Sequence, residues 1–515
     1  MNTTKQTSLF SAIAIGVGAI IGSGWLFAAY YSAKFAGPAS IFSWIIGAAI
    51  ALCLALLLAE IVTLYQQRGL VARLLTITHN RDYGFMVALS NWLCFVVFIP
   101  SEAEATTQYL STMVPRLQPY IFAYHHLTVL GLLIVGLLTI IYGVINFWGI
   151  KSLAKTNNVI TIIKLLVPLF AGITIMATTF HAHNFVAYRD TLAPYGIGKV
   201  FSAVTNSGIF YAFFGYSLIP IFAKELKDPQ KNIPIALIAS VVICLIIYLV
   251  LQVAFIGALP SAMVAKGWAH INFTSPLAQL AMMLDLNLLV VLLYADSALS
   301  PSGTGAIYAG SASRTLTGMA ADRQMPRFFA VLHPLHNFSR RSMIFSLSIS
   351  FVMVLFFKKW QTIMLLVTVF QLLSGVAIPI AFTKLRQTEA HRHRLFKMPF
   401  GSLVGFFIYL LLTFLLTQAG LKALAMALVL HMVFFVIYSV SAYGGDTGKI
   451  IRGFCSSWTM FLYLAVVALY GYLQQIDWLQ RPTMLISFFV VATILYWLLL
   501  GQRDFQTKTP QLIKV

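Results

Sequence analysis

Membrane-length apolar runs follow one another along almost the whole chain, and they restrict the possible folds more than any motif does. A span needs roughly 20 apolar residues to cross a ~30 Å hydrocarbon core. Fourteen runs qualify, near 9–34, 38–64, 84–113, 127–147, 157–178, 200–222, 233–258, 275–312, 343–357, 361–383, 400–418, 421–441, 456–474 and 482–501. The eighth is overlong and the ninth short. The chain is 60% hydrophobic and only 9% charged over 515 residues, more apolar surface than a water-soluble protein of that length can hide. The expected class is an all-α integral membrane protein with 14 transmembrane helices, and no soluble domain interrupts them.

A formal net charge of +20 invites a nucleic-acid reading, which the distribution of the charge answers. With the N-terminus inside, most of the 34 Lys and Arg fall in segments assigned to the cytoplasm. That bias is the positive-inside rule, so the excess is a topology signal with anionic lipid of the bilayer as its partner. An even span count places both termini in the cytoplasm. No cleavable signal is evident, because the first run is long and lacks a well-placed small-residue cleavage site. Cys53, Cys94 and Cys244 fall inside spans, Cys455 sits at a span edge, and no pair has metal-ligand spacing. No cofactor or metal is expected, and oligomeric state is not written in the sequence.

Within the first run, AIGVGAIIGSGWLF (14–27) carries Gly16, Gly18, Gly22 and Gly24. Glycine costs about 1 kcal/mol against Ala inside a helix, and hydrocarbon offers no water to a freed backbone group. Gly18 and Gly22 have GxxxG spacing and suit close helix packing. The other reading is a deliberate break, and the sixth run has a counterpart in FFGYSL (213–218). Five spans separate the two, so the second half would be inverted relative to the first. Interrupted helices at matching places in two inverted halves point to a transport site at the midplane. An unwound turn offers N–H groups to a carboxylate and carbonyls to a cation, and so holds both ends of an α-amino acid.

Charges inside spans are functional hypotheses by default. Lys164 lies seven residues into the fifth run, about 10 Å from its start. It either snorkels to the interface or is a buried ammonium able to exchange its proton during a cycle. Glu102 and Glu104, two residues apart in PSEAEATTQY (100–109), point to different faces of a helix, so at most one meets a central cavity. Glu60 ends the second run and is expected at the interface. Asp285 and Asp296, eleven residues apart, would share nearly one face of the eighth span. For each carboxylate, structural pairing competes with proton or substrate handling. His391 and His393 belong to a basic, solvated loop, and His431 is the histidine clearly inside a span. A serine hydrolase built on Ser23 would need a base within reach, which nothing supplies. GVGAIIG lacks the βαβ context of a dinucleotide loop.

These segments, GVGAIIGSGWLF, FFGYSLIPIFAKELKDPQKNIPIA (213–236) and SASRTLTGMAADRQMP (311–326), resemble the amino acid–polyamine–organocation (APC) transporters over residues 8–441. GSGWLF and PSEAEATTQY are most similar to the bacterial aspartate–proton symporter branch. The resemblance implies a five-plus-five inverted repeat working by alternating access. Residues 1–178 form the first repeat and 200–385 the second. Two helices follow at 400–441, two more at 456–501, and a cytoplasmic tail at 502–515. It implies that the substrate carboxylate meets the N–H groups of Ser23 and Gly24 and the ammonium meets carbonyls near Ile20 and Phe214, with Gly22 and Gly215 in the two breaks. Tyr211 would be an aromatic gate and Tyr308 a second aromatic wall. Lys164, beside Thr304, matches a lysine that replaces a sodium site in proton-coupled members. Glu102 and Glu104 join it as candidates for proton handling. Ser217 departs from the acidic residue that many members carry after FFGY. The expected function, as the resemblance implies, is proton-coupled amino acid import across the inner membrane of a bacterial cell. An exchanger is the alternative, and a membrane hydrolase a remote one.

Overall fold

A computed structural model of the protein describes residues 8–65, 69–124, 126–147, 150–333, 338–478 and 481–502. The expected tail at 502–515 lies outside these residues except for Gln502. The chain is helical almost throughout. Helices α1 (Leu9–Ile20) and α2 (Gly24–Ala36) share one apolar run and are followed by α3 (Ser40–Leu64), α4 (Leu70–Thr78), α5 (Arg81–Met113) and α6 (Gln118–Ile121). A two-stranded antiparallel ladder, Phe122–Ala123 with His126–Leu127, leads to α7 (Val129–Phe147) and α8 (Ile150–Thr178). Next come α9 (Ile197–Asn206), α10 (Ile209–Ala212) and a 3₁₀ segment, Phe214–Glu225. Helices α11 (Pro229–Ala258), α12 (Ser261–Val264), α13 (Pro276–Met283), α14 (Asn287–Ala321), α15 (Arg340–Phe356) and α16 (Trp360–Thr388) complete the core. Helices α17 (Gly401–Thr417), α18 (Gly420–Tyr443), α19 (Thr447–Gln475) and α20 (Pro482–Gly501) pack outside it.

Among the described residues, nine helical stretches are long and apolar enough to cross a membrane, with three shorter apolar helices at Leu9–Ile20, Ile209–Ile219 and Gly401–Thr417. The difference from fourteen runs has physical causes. The first and sixth runs are broken, α15 and α17 have 17 residues each, and α14 carries many Ser, Thr and Gly between Ser297 and Ser313.

Helix α5 is the post around which the rest is arranged. Every residue from Asp82 to Tyr109 is buried, and its most extensive packing is against α14 and α16. Helix α7 shows the opposite, with Leu133, Leu137, Ile140 and Val144 exposed, as lipid-facing positions should be. The last helices are fastened to the post by polar contacts at one end. Asp82 accepts hydrogen bonds from Tyr438, from Tyr443 at 2.6 Å and from Ser456 at 3.0 Å. Lys384 Nζ donates to the Leu500 carbonyl at 2.9 Å, and His79 Nε2 lies 3.1 Å from that of Leu499, so the end of α20 is capped.

Among the described residues, five prolines sit inside core helices, Pro100, Pro168, Pro234, Pro301 and Pro379, and a proline frees the carbonyl one turn earlier because it has no N–H to donate; two of the freed carbonyls meet a hydroxyl from a neighbouring helix. Pro100 in α5 frees Val96, whose oxygen accepts from the Ser350 hydroxyl of α15 at 2.6 Å. Pro301 in α14 frees Ser297, whose oxygen accepts from the Thr106 hydroxyl of α5 at 2.9 Å. Away from water, such repairs must come from neighbouring helices.

Two expectations change, and the two readings of Lys164 are narrowed to one. The eighth run divides into α13 and α14, with Asp285 between them at φ 55°, a left-handed conformation that aspartate tolerates in turns; it shares no helix face with Asp296. Glu60 is buried rather than interfacial. It accepts from Arg386 at 3.0 and 2.6 Å and from the Met398 N–H at 2.8 Å, with Arg394 Nε at 3.1 Å, tying the end of α3 to the end of α16. Lys164 sits halfway along α8, because that helix begins earlier than the apolar run does, and it is 1% exposed; it does not snorkel.

The proline repair is open to test. Thr106→Val leaves the Ser297 carbonyl without its donor and should cost about 1 kcal/mol, seen as a lower thermal midpoint of the purified protein. Pro301→Ala restores an N–H to that carbonyl. In the Pro301→Ala background Thr106→Val should therefore cost clearly less, and equal costs in both backgrounds would refute the repair.

Candidate functional site

Helix α1 stops where glycine and serine interrupt its apolar pattern. Its last i to i−4 backbone hydrogen bond runs from Ile21 N–H to the Val17 carbonyl at 2.9 Å, Gly22 N–H turns back to the Ile20 carbonyl at 3.1 Å, and Ile21 itself is extended. A helix C-terminus leaves four carbonyls without partners. Here four consecutive ones, Gly18 to Ile21, are each met by a side chain from another helix. The Lys164 ammonium of α8 donates to Gly18 O at 2.9 Å, and Tyr308 of α14 donates to Ala19 O at 3.2 Å. Tyr248 of α11 approaches Ile20 O at 3.4 Å and donates to Ala212 O at 3.1 Å. Thr304 of α14 donates to Ile21 O at 3.1 Å and lies 2.6 Å from Lys164 Nζ.

On the other side of the break, α2 presents its N-terminus. The Ser23 N–H donates to Glu102 Oε2 at 2.7 Å, and the Ser23 hydroxyl lies 3.1 Å from Oε1. Tyr211 donates to the same Oε1 at 2.6 Å, with its own oxygen 2.8 Å from Ser101 Oγ. Trp360 Nε1 donates to Ser23 Oγ at 3.1 Å. Ser23, Glu102, Lys164 and Thr304 are all fully or almost fully buried.

The glycines make this closeness possible. A Cβ on Gly22 would lie 2.7 Å from Glu102 Oε1 and 3.0 Å from Oε2 and from a Thr304 methyl. A Cβ on Gly24 would lie 2.8 Å from the Ala212 Cβ. A Cβ on Gly215 would collide with the backbone of Ala19 and Ile20, so the two broken segments touch main chain to main chain.

Aromatic rings line one side. Phe98 stacks between Tyr211 at 4.2 Å and Tyr308 at 4.0 Å, with Phe214 at 5.9 Å, and Trp360 meets Tyr211 edge-on at 5.7 Å. Phe95 continues this wall toward a cleft lined by Asn91, Ser217 and Thr315. Ser217, at the position of the family's usual acid, donates to Phe214 O at 3.3 Å.

The structure brings Ile20, Gly22, Ser23, Gly24, Tyr211, Phe214, Gly215, Tyr308, Lys164, Thr304 and Glu102 into one region. Glu104 stands apart from the hydrogen-bond network: it is fully buried, and neither carboxylate oxygen has a hydrogen-bond partner among the described residues. His431 bonds to Ser90 at 2.8 Å and to the Ala427 carbonyl, and has no contact with Ser23. Sequence reasoning missed Tyr248, Trp360 and Phe98. Tyr248 was signalled by being a polar group inside the apolar stretch LIIYLVLQVAF, whereas Phe98 and Trp360 are ordinary members of apolar helices.

A family model described as "Amino acid permease" matches residues 8–435. The glutamate/serine transporter AimA of Bacillus subtilis is 37% identical over 396 residues, covering 76% of this chain and 73% of its own length. The aspartate-proton symporter of the same organism is 32% identical over 439 residues, covering 85% and 84%. The branched-chain amino acid permease BcaP of Bacillus subtilis is 24% identical over 448 residues, covering 84% and 92%. With the family model spanning most of the chain and two relatives above 30% identity, this multi-pass membrane protein belongs to the amino acid permeases of the APC superfamily, and it is a transporter rather than an enzyme.

Proposed function

We propose that the chain imports an amino acid together with a proton by alternating access, from a five-plus-five inverted repeat whose first and sixth spans are the broken ones. The repeats are residues 1–178 and 200–385. The helices at 400–441 and 456–501 brace them from outside, and both termini face the cytoplasm of a bacterial cell. The carrying observation is Lys164. Its ammonium joins the end of α1, at Gly18 O, to Thr304 of α14, within hydrogen-bond distance of both. A positive charge there holds α1 against α14 as a bound cation would, and a neutral amine, with its two N–H donors but no charge, holds both contacts more weakly.

The break supplies the substrate site, with N–H groups of α2 for the carboxylate and carbonyls at the end of α1 for the ammonium. The relatives named for glutamate, serine and aspartate support a small polar or acidic amino acid.

Three outcomes test this reading. Gly24→Val should abolish substrate binding in a protein that still folds, because the new side chain drives α2 away from Ala212. Ser23→Ala should be milder, since the N–H remains, and equilibrium binding on both purified variants decides it.

Lys164→Ala should lose proton-driven accumulation in proteoliposomes while retaining binding. Lys164→Arg should not restore it, because a guanidinium keeps its proton and is bulkier. Full accumulation by Lys164→Arg would end the coupling role, and uptake that needs preloaded substrate would indicate exchange.

In competition for uptake, glutamate, aspartate and serine should outcompete arginine. Arginine competing where none of those three does would overturn the substrate class.

A further inference from the structure

The N-terminus of α2 is already filled, and the group that fills it belongs to the protein. Glu102 arrives from α5 two residues after Pro100, and its carboxylate takes three donors: the Ser23 N–H, the Ser23 hydroxyl and the Tyr211 hydroxyl, at 2.7, 3.1 and 2.6 Å. Helix α2 is 13 residues long, so its terminal N–H groups carry an appreciable dipole toward the carboxylate. Gly22 is what lets the carboxylate in, because any Cβ there would lie within 3.0 Å of both its oxygens. This donor set is of the kind a free carboxylate takes at a helix N-terminus.

We propose that Glu102 is an internal stand-in for the substrate's carboxylate: it occupies the cradle in the absence of substrate, and an amino acid binds only as Glu102 takes a proton and withdraws. The proposal rests on the assignment of the Ser23 and Gly24 N–H groups to the substrate's carboxylate. Its chemical basis is like-charge exclusion, since two carboxylates cannot share one set of donors while both are ionised. One of them must become a carboxylic acid. The substrate's own carboxylate gains the three donors, so the proton goes to Glu102, whose acid form needs fewer of them. One substrate then enters with one proton, and the cradle refills from within when the substrate leaves.

The titratable groups around Glu102 are Tyr211 on α10, Tyr142 on α7, Tyr248 on α11, Tyr308 on α14 and Lys164 on α8. Lys164 contacts the opposite side of the break, so its proton must be separated from that of Glu102 by mutation.

The test is calorimetric binding of L-serine and L-glutamate to the purified full-length protein between pH 6 and 9, in buffers of differing ionisation enthalpy. Wild-type protein should take up about one proton per substrate, and its affinity should fall about tenfold per pH unit where Glu102 is ionised. Glu102→Gln should take up none, bind with little pH dependence and bind more tightly than wild type at the alkaline end. Glu102→Asp, one methylene shorter, keeps an acid but falls short of the Ser23 N–H, and should also bind more tightly there. Measured also in the Lys164→Ala background, Glu102→Gln should remove the same amount of proton uptake, which separates the proton of Glu102 from any carried by Lys164. The stand-in role is overturned if both Glu102 variants keep the wild-type slope, or if both bind more weakly at every pH, which would make Glu102 a direct substrate contact. Wild-type protein that binds neither amino acid at any pH overturns the assignment of the site itself.

Discussion

A helix cannot end inside hydrocarbon unless something meets its last carbonyls, and the end of α1 sets the arrangement of this protein for that reason. Four helices besides α1 are committed to it: α8 sends Lys164, α11 sends Tyr248, α14 sends Thr304 and Tyr308, and α5 closes the other side of the gap with Glu102. None of these contacts is local in sequence. The break is therefore costly in isolation and stable only in the assembled bundle, which makes it sensitive to any change in one helix's charge or position. That sensitivity is what the proposed transport site requires.

The same requirement explains why α5 is so polar for a helix so buried. Its hydroxyls and carboxylates point to particular backbone groups elsewhere: Thr106 to the carbonyl that Pro301 frees, Ser101 toward Tyr211, Glu102 to Ser23. Read as composition, SEAEATTQY in a membrane span looks unfavourable. Read as a list of partners, most of it is repair and wiring. Glu104 is the exception, because nothing among the described residues meets its oxygens.

Much of this was legible in the sequence. Apolar runs gave the helices, and GSG and FFGY marked where two of them break, because glycine in hydrocarbon needs a reason. Lys164 and Glu102 stood out as charges where charges are costly. What could not be read was pairing. Ser23 in the first run and Glu102 in the third carry no mark of meeting, so sequence alone left Glu102 and Glu104 indistinguishable. Boundaries failed for a related reason: α8 begins before its apolar run, which made Lys164 look near an interface when it lies at mid-helix. Asp285 was drawn into a span because a left-handed aspartate in a turn leaves no trace in hydropathy. Glu60 looked interfacial because its two arginines come from more than 300 residues further along the chain.

At Gly215 the two broken segments rest against each other with no side chain between them. Packed helices ordinarily resist sliding because the knobs of one sit in the holes of the other, and moving them means lifting each knob out. Bare main chain has no knobs. The seam between Ala19–Ile20 and Gly215 is in this respect a smooth bearing at one point, bounded where the Ile219 side chain of the 3₁₀ segment packs on α1 at Gly16. Resistance to sliding is greater where side chains interlock, as along α5 with α14 and α16, so in the proposed cycle those helices would keep still while the broken pair moves.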